Sequence, residues 1–91
     1  MSSQEKRYAF AGIIIENRDQ SAQLVQKTLS EYSSLISGRM GLPNLEDGNL
    51  SIITIIIHAT TDEIGALTGK LGRIHGVSVK SGISKSLNLN E

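Results

Sequence analysis

The chain has 91 residues, enough for one domain, and nine basic side chains balance nine acidic ones for a formal net charge of zero. That balance argues against a strongly basic nucleic-acid surface. The absence of cysteine excludes disulfides, thiolate zinc sites, iron–sulfur ligation and cysteine nucleophiles.

Residues 8–15 are short and rich in strand formers, which predicts a buried first strand. Turn and cap residues follow at 16–19. Ala22, Val25, Leu29 and Tyr32 then recur at helical spacing, with Leu24 and Thr28 widening the stripe, so a helix is expected to about Ser33. Residues 35–42 place Ile36, Met40 and Leu42 in alternation around Gly38 and Gly41, a strand that Pro43 is expected to end. Residues 44–49 predict a loop with an Asp-Gly turn. The clearest strand is 50–58, with five isoleucines in nine residues. Thr60 and Glu63 stand at capping-box spacing ahead of Ile64, Leu67, Leu71 and Ile74, the apolar stripe of a second helix stopped near Gly76. Residues 77–83 alternate in a last strand.

Strand, helix, strand, strand, helix, strand predicts an α+β, ferredoxin-like βαββαβ sandwich: a four-stranded antiparallel sheet with two helices on one face. The domain is expected over 7–84, with 1–6 and 85–91 as flexible tails. The apolar runs 13–15 and 55–57 are too short to span a bilayer, and no signal-like apolar segment follows the polar start, so the expected location is cytoplasmic without membrane contact. A sheet with one wet face should alternate apolar and polar residues. The first and third strands do not, because Ile13 and Ile15 point opposite to Ile14, and Ile53, Ile55 and Ile57 opposite to Ile52 and Ile56. One copy leaves that second apolar face open, so the chain is expected to pair with itself, as a dimer or tetramer, through the sheet face or an edge.

Gly65, Thr68, Gly69, Lys70 and Gly72 fail the phosphate-loop pattern, which needs one more residue before Gly-Lys and then Ser or Thr. Gly65, Thr68, Gly69 and Gly72 instead form a stripe of small side chains along one helix edge, suited to close packing by another backbone or to ligand approach. His58 and His75 are weak metal candidates: they are far apart in sequence and no cysteine accompanies them. The third strand has no aromatic residue, which argues against RNA stacking of the RNA-recognition-motif kind, and no direct nucleic-acid binding is expected. The 16–19 loop lacks the glycines of an acylphosphatase loop, and its Glu16 and Asp19 would repel an anion. No catalytic serine–histidine–acid set stands out, and no enzyme is expected.

Three segments resemble a known family: Gly-Ile-Ile-Ile-Glu-Asn-Arg at 12–18, Ile-Ser-Gly-Arg-Met-Gly-Leu-Pro at 36–43, and the stretch 64–80 from Ile64 through Gly-Lys-Leu-Gly-Arg to Lys80. Together they are similar to the small regulator family associated with the iron-only hydrogenase system. The resemblance implies an ACT-like fold, similar also to the ligand-binding C-terminal domain of nickel-responsive regulators. It implies a homo-oligomeric regulatory or ligand-sensing module without a DNA-binding domain of its own, taking a small metabolite or a protein partner. In ACT-like domains small ligands sit near the first strand-to-helix loop, which points to Glu16, Asn17 and Arg18, with Arg39 as a second anchor. The same residues also read as surface charges plus one helix cap. The alternatives kept open are a metal-responsive module using the histidines and a small enzyme on this scaffold; the sequence names no cofactor.

Overall fold

The computed structural model describes residues 5–17 and 20–85; residues 1–4 and 86–91, and with them most of both expected tails, lie outside the described residues. The chain runs β1 (Lys6–Glu16), α1 (Ser21–Glu31), a 3-10 turn (Ser33–Leu35), β2 (Ile36–Asn44), a one-turn segment α2 (Leu45–Gly48), β3 (Leu50–Thr60), α3 (Thr61–Gly72) and β4 (Val77–Ile83). The four strands form one sheet in the order β2-β3-β1-β4, and every pairing is antiparallel. The βαββαβ order expected above is present.

β1 and β3 are the inner strands and pair without a break from Lys6↔Thr60 to Glu16↔Leu50. Lys6, assigned to a tail on composition, is therefore the first residue of a strand. Odd-numbered residues of both strands face the helices. Ala9, Ala11, Ile13 and Ile15 from β1 join Ile53, Ile55, Ile57 and Ala59 from β3 as the floor of the core. Val25 and Leu29 of α1 and Ile64, Leu67 and Leu71 of α3 close it from above, all at most 1% exposed. Both helices thus cover one face, as the amphipathic spacing predicts. Leu24 departs from its expected place: it stays 44% exposed, while Ser21 and Thr28 take the buried positions.

The helix starts differ. α3 carries a full capping box: Thr60 Oγ1 accepts from the Glu63 amide at 3.2 Å, and Glu63 Oε1 accepts from the Thr60 amide at 2.9 Å. Two otherwise orphaned amides are satisfied at that end. α1 has no side-chain cap; the residue before it, Gln20, is held in left-handed geometry at φ 65°. At its other end α1 is tied to α3 by Lys70 Nζ and Glu31 Oε1, 2.8 Å apart, an exposed pair in which the hydrogen bond from Lys70 lowers the Glu31 pKa. Whatever stability it adds is lost as pH falls through that lowered value.

β2 corrects two expectations. Pro43 does not end the strand, which continues to Asn44. β2 is an edge strand, and there a missing N–H costs no ladder bond. A bulge also shifts the register between Ile36↔Ile57 and Gly38↔Ile56, leaving Ser37 as the extra residue. Ile36 therefore shares the helix side with Ile57, whereas Met40 and Leu42 pair with Thr54 and Ile52 on the opposite face. The simple alternation of Ile36, Met40 and Leu42 does not hold, and Arg39, opposite Ile55, is turned toward the helices.

Removing the α3 cap tests how much of the fold rests on it. Thr60→Ala is expected to lower the unfolding free energy by about 1 kcal/mol and Tm by about 4–8 °C. Glu63→Gln, which retains the amide contact, is expected to cost less; paired thermal melts give the comparison.

Candidate functional site

The cavity that the sequence candidates point to lies between the first half of α1 and the outer edge of β2, with a volume of about 510 Å³. Its apolar lining comes from Ile15, Ala22, Leu42, Pro43 and Ile53. Its polar lining comes from Asn17, Gln26, Arg39, Asn44 and Ser51, and Arg39 is the one charged residue among the lining. The β2 bulge accounts for its position there, since regular pairing would have placed Arg39 on the far face of the sheet. Gly41, beside it on the same strand, leaves the floor open. A Cβ at that position would stand 3.3 Å from the Ile53 side chain.

Arg39 donates from Nη2 to Gln26 Oε1 at 2.9 Å. Its partner is neutral, and no carboxylate of the described residues is paired with it. The guanidinium offers five donors in a fork suited to a planar anion, and one neutral amide oxygen meets little of that capacity.

Asn17 closes the end of the cavity by joining two loops. Its backbone amide donates to the Asn49 carbonyl at 3.0 Å, and its Nδ2 donates to the Gly48 carbonyl at 2.8 Å and to Ser51 Oγ at 3.1 Å. Ser51 is buried, and its hydroxyl also lies 3.4 Å from the Asn44 amide. The hairpin clamped in this way is bent backbone. Asn44, Glu46 and Asp47 have φ of 60°, 51° and 56°, and Gly48 has 91°. Left-handed geometry is uncommon for residues other than glycine, so three in one turn need outside support, which the Asn17 bonds supply. The 44–49 loop is thus a strained, pinned turn, which its Asp-Gly signal alone does not describe.

The structure brings Asn17 and Arg39 to one cavity. Glu16 lies at the end of β1 opposite Leu50, on the sheet face away from the helices, and Arg18 lies outside the described residues. The histidines are not brought together. His58 stacks on Tyr8 with ring centroids 4.3 Å apart and planes 11° from parallel, at the β1 start. His75 sits in the turn beside Gly76, whose carbonyl accepts from the Glu16 amide at the β1 end. Eight residues of strand separate these levels, about 26 Å at roughly 3.3 Å per residue. Among the described residues no group of three His, Asp or Glu stands close enough to hold a metal ion. The stripe Gly65, Thr68, Gly69 and Gly72 borders a shallow groove beside β4. A Cβ at Gly65 or Gly72 would meet nothing within 4 Å, so the close approach expected there is not made within this chain. Gln26, Asn44 and Ser51 are the site residues that sequence reasoning missed. Gln26 reads as one more polar residue on the outer face of α1, and only the turned Arg39 gives it a role.

The model of the TM1266-like family, described as "Iron-only hydrogenase system regulator, putative", matches residues 7–81. The chain belongs to this family. The structure of the uncharacterized protein TM1266 from Thermotoga maritima is similar, with a TM-score of 0.83 and 38% identity over 89% of this chain and 100% of that one. The ACT domain from GTP pyrophosphokinase of Chlorobium tepidum superposes with a TM-score of 0.70 at 22% identity, over 85% of this chain and 99% of that one. The nitrogen regulatory PII-like protein CPII from Thiomonas intermedia follows more distantly, with a TM-score of 0.53 at 16% identity over 86% and 89% of the two chains. These likenesses show an ACT-like, ferredoxin-like fold. No protein with a curated function matches the sequence. No helix of the described residues is long and apolar enough to cross a membrane.

The Asn17 clamp gives a stability test. Asn17→Ala leaves the Gly48 carbonyl without its donor and is expected to cost about 1–3 kcal/mol. Hydrogen exchange should accelerate at residues 44–49 before the rest of the sheet; uniform acceleration would show that the clamp is not local.

Proposed function

We propose that this chain is a cytoplasmic, small-molecule-responsive regulatory module that works by binding, without catalysis. Its ligand site is the cavity between α1 and β2. The observation that carries this reading is Arg39: a guanidinium at a cavity of about 510 Å³, partnered by a neutral glutamine, with apolar walls and amide groups around it. That combination of a mostly apolar lining and a few placed polar groups suits a small molecule. A single cation calls for one anionic group, and Gln26 is in place to hold Arg39 while that group binds. Membership of a family described as regulators, and the fold shared with an ACT domain, support a regulatory role.

Because binding to the native state alone raises stability, ligands are found by thermal shift. At about 100 times Kd a ligand adds about 2.7 kcal/mol, a rise of roughly 10–20 °C for a domain of this length. A panel of small carboxylates, phosphates, amino acids and nucleotides is expected to yield at least one anion that raises Tm in the wild type and not in Arg39→Gln. A metal ion that stabilises wild type but not a His58→Ala/His75→Ala variant would favour the metal-responsive alternative instead. If no compound acts through Arg39, the cavity is not the regulatory site.

A further inference from the structure

The sheet face turned away from the helices is covered by nothing in the described chain. Tyr8, Phe10, Ile14, Met40, Leu42 and Ile56 are between 43% and 73% exposed. Pairing with Ile52, Thr54, Ile56 or His58 places all but Ile56 itself on this face, and Ile56 joins them as the partner of Phe10. At about half exposure, six side chains of this size present roughly 500 Å² of apolar surface, a large part of the about 800 Å² that each partner buries in a standard interface.

We propose that a second copy of this chain covers the face, with the two sheets stacked and β1 of one copy antiparallel across β1 of the other. The pattern of the face itself selects this occupant and this direction. A twofold axis lying between the sheets, perpendicular to the strands at the level of Ala11, carries each strand onto its own copy. On β1 it sets Phe10 over the partner's Gly12, Tyr8 over the partner's Ile14, and Lys6 above the partner's Glu16. The observed registers put Ile55 opposite Ala11 and Arg39 opposite Ile55, so the same operation sets Met40 over the partner's Gly38. Two large side chains therefore meet two glycines under a single symmetry operation, and opposite charges meet at the ends. A twofold parallel to the strands would instead stack Phe10 on Phe10 and Lys6 on Lys6.

The glycine positions have room to act as recesses. A Cβ at Gly38 would meet nothing within 4 Å, and at Gly12 only the Lys80 carbonyl at 4.0 Å. Gly82 differs, because its own chain's Phe10 ring already lies 2.6 Å from where a Cβ would stand, so this ring leans from β1 over the outer strand β4. Stacked sheets lie about 10 Å apart and cross at about 30°, so with the crossing centred on β3 the Phe10–Gly12 pair on β1 and the Met40–Gly38 pair on β2 each stay within about 3 Å of register. The Lys6–Glu16 pairs diverge toward the ends and act over a longer distance.

Sedimentation equilibrium across micromolar concentrations tests the interface. The wild type is expected to dimerise, and Gly38→Leu and Gly12→Leu are each expected to raise the dimer Kd at least tenfold. Circular dichroism and Tm of the dilute monomer should stay unchanged, because both positions have space in one copy. Lys6→Glu and Glu16→Lys are each expected to weaken the dimer a few-fold, and the double exchange to recover it. A wild type that stays monomeric overturns the proposal. So does a dimer indifferent to both leucine variants, which would place association on a sheet edge. A Lys6→Glu variant that tightens association overturns the antiparallel arrangement.

Discussion

The structure depends on two inner strands that are hydrogen-bonded along both edges and apolar on both faces. β1 and β3 pair over their full lengths, and each also pairs with an outer strand. Every backbone group in the centre of the sheet is thereby satisfied, and side chains alone determine what lies above and below it. The helix side is a dense core of isoleucine, leucine and alanine. Ala9, Ala11 and Ala59 are its small members. The far side carries aromatic and aliphatic residues alternating with glycine and threonine. That is a surface with relief, unlike the uniformly polar face that water would favour.

β2 is where this scaffold becomes specific. An edge strand has one free side, so it accepts a proline and a bulge that an inner strand would reject. The bulge at Ser37 shifts pairing by one residue and exchanges the faces of everything after it. Arg39 and Gly41 turn toward α1, one supplying charge and the other leaving space, while Met40 and Leu42 turn to the open face. The cavity and the β2 part of the apolar face are thus two consequences of a single irregularity. The hairpin that follows is bent into left-handed geometry and held there by Asn17, so the first strand-to-helix loop and the β2–β3 turn are joined mechanically as well as by position.

Much of this was legible in the residues, and the parts that were not share a cause. Element order, both helices, the capping box at Thr60 and the doubly apolar inner strands follow from spacing over a few neighbouring residues, because local propensity and tertiary packing agree there. β2 departs from its sequence periodicity in detail. Its alternation of Ile36, Met40 and Leu42 looks regular, and nothing local marks Ser37 as the extra residue. A bulge is set by the partner strand, which sequence periodicity does not contain. For the same reason Asn17 and Arg39 were placed as candidates by resemblance, whereas Gln26, Asn44 and Ser51 were not found. They become a site only when α1, β2 and the hairpin are brought together.

If the cavity binds a ligand and the face associates as proposed, β2 is the element common to both. Arg39 and Met40 are consecutive on one strand and point to opposite sides of it. An anion bound to Arg39 acts on the strand segment whose next residue is Met40. An edge strand is held to the sheet on one side only, so it yields more readily than β1 or β3 would. The coupling free energy available is bounded by the difference in ligand affinity between the two β2 positions, typically 1–3 kcal/mol for coupled sites. By linkage, association must alter ligand affinity by the same factor that ligand alters association. A rigid β2 would permit both binding and association while coupling neither to the other, so any coupling between the proposed site and the proposed dimer would run through the one strand whose register the sequence does not reveal.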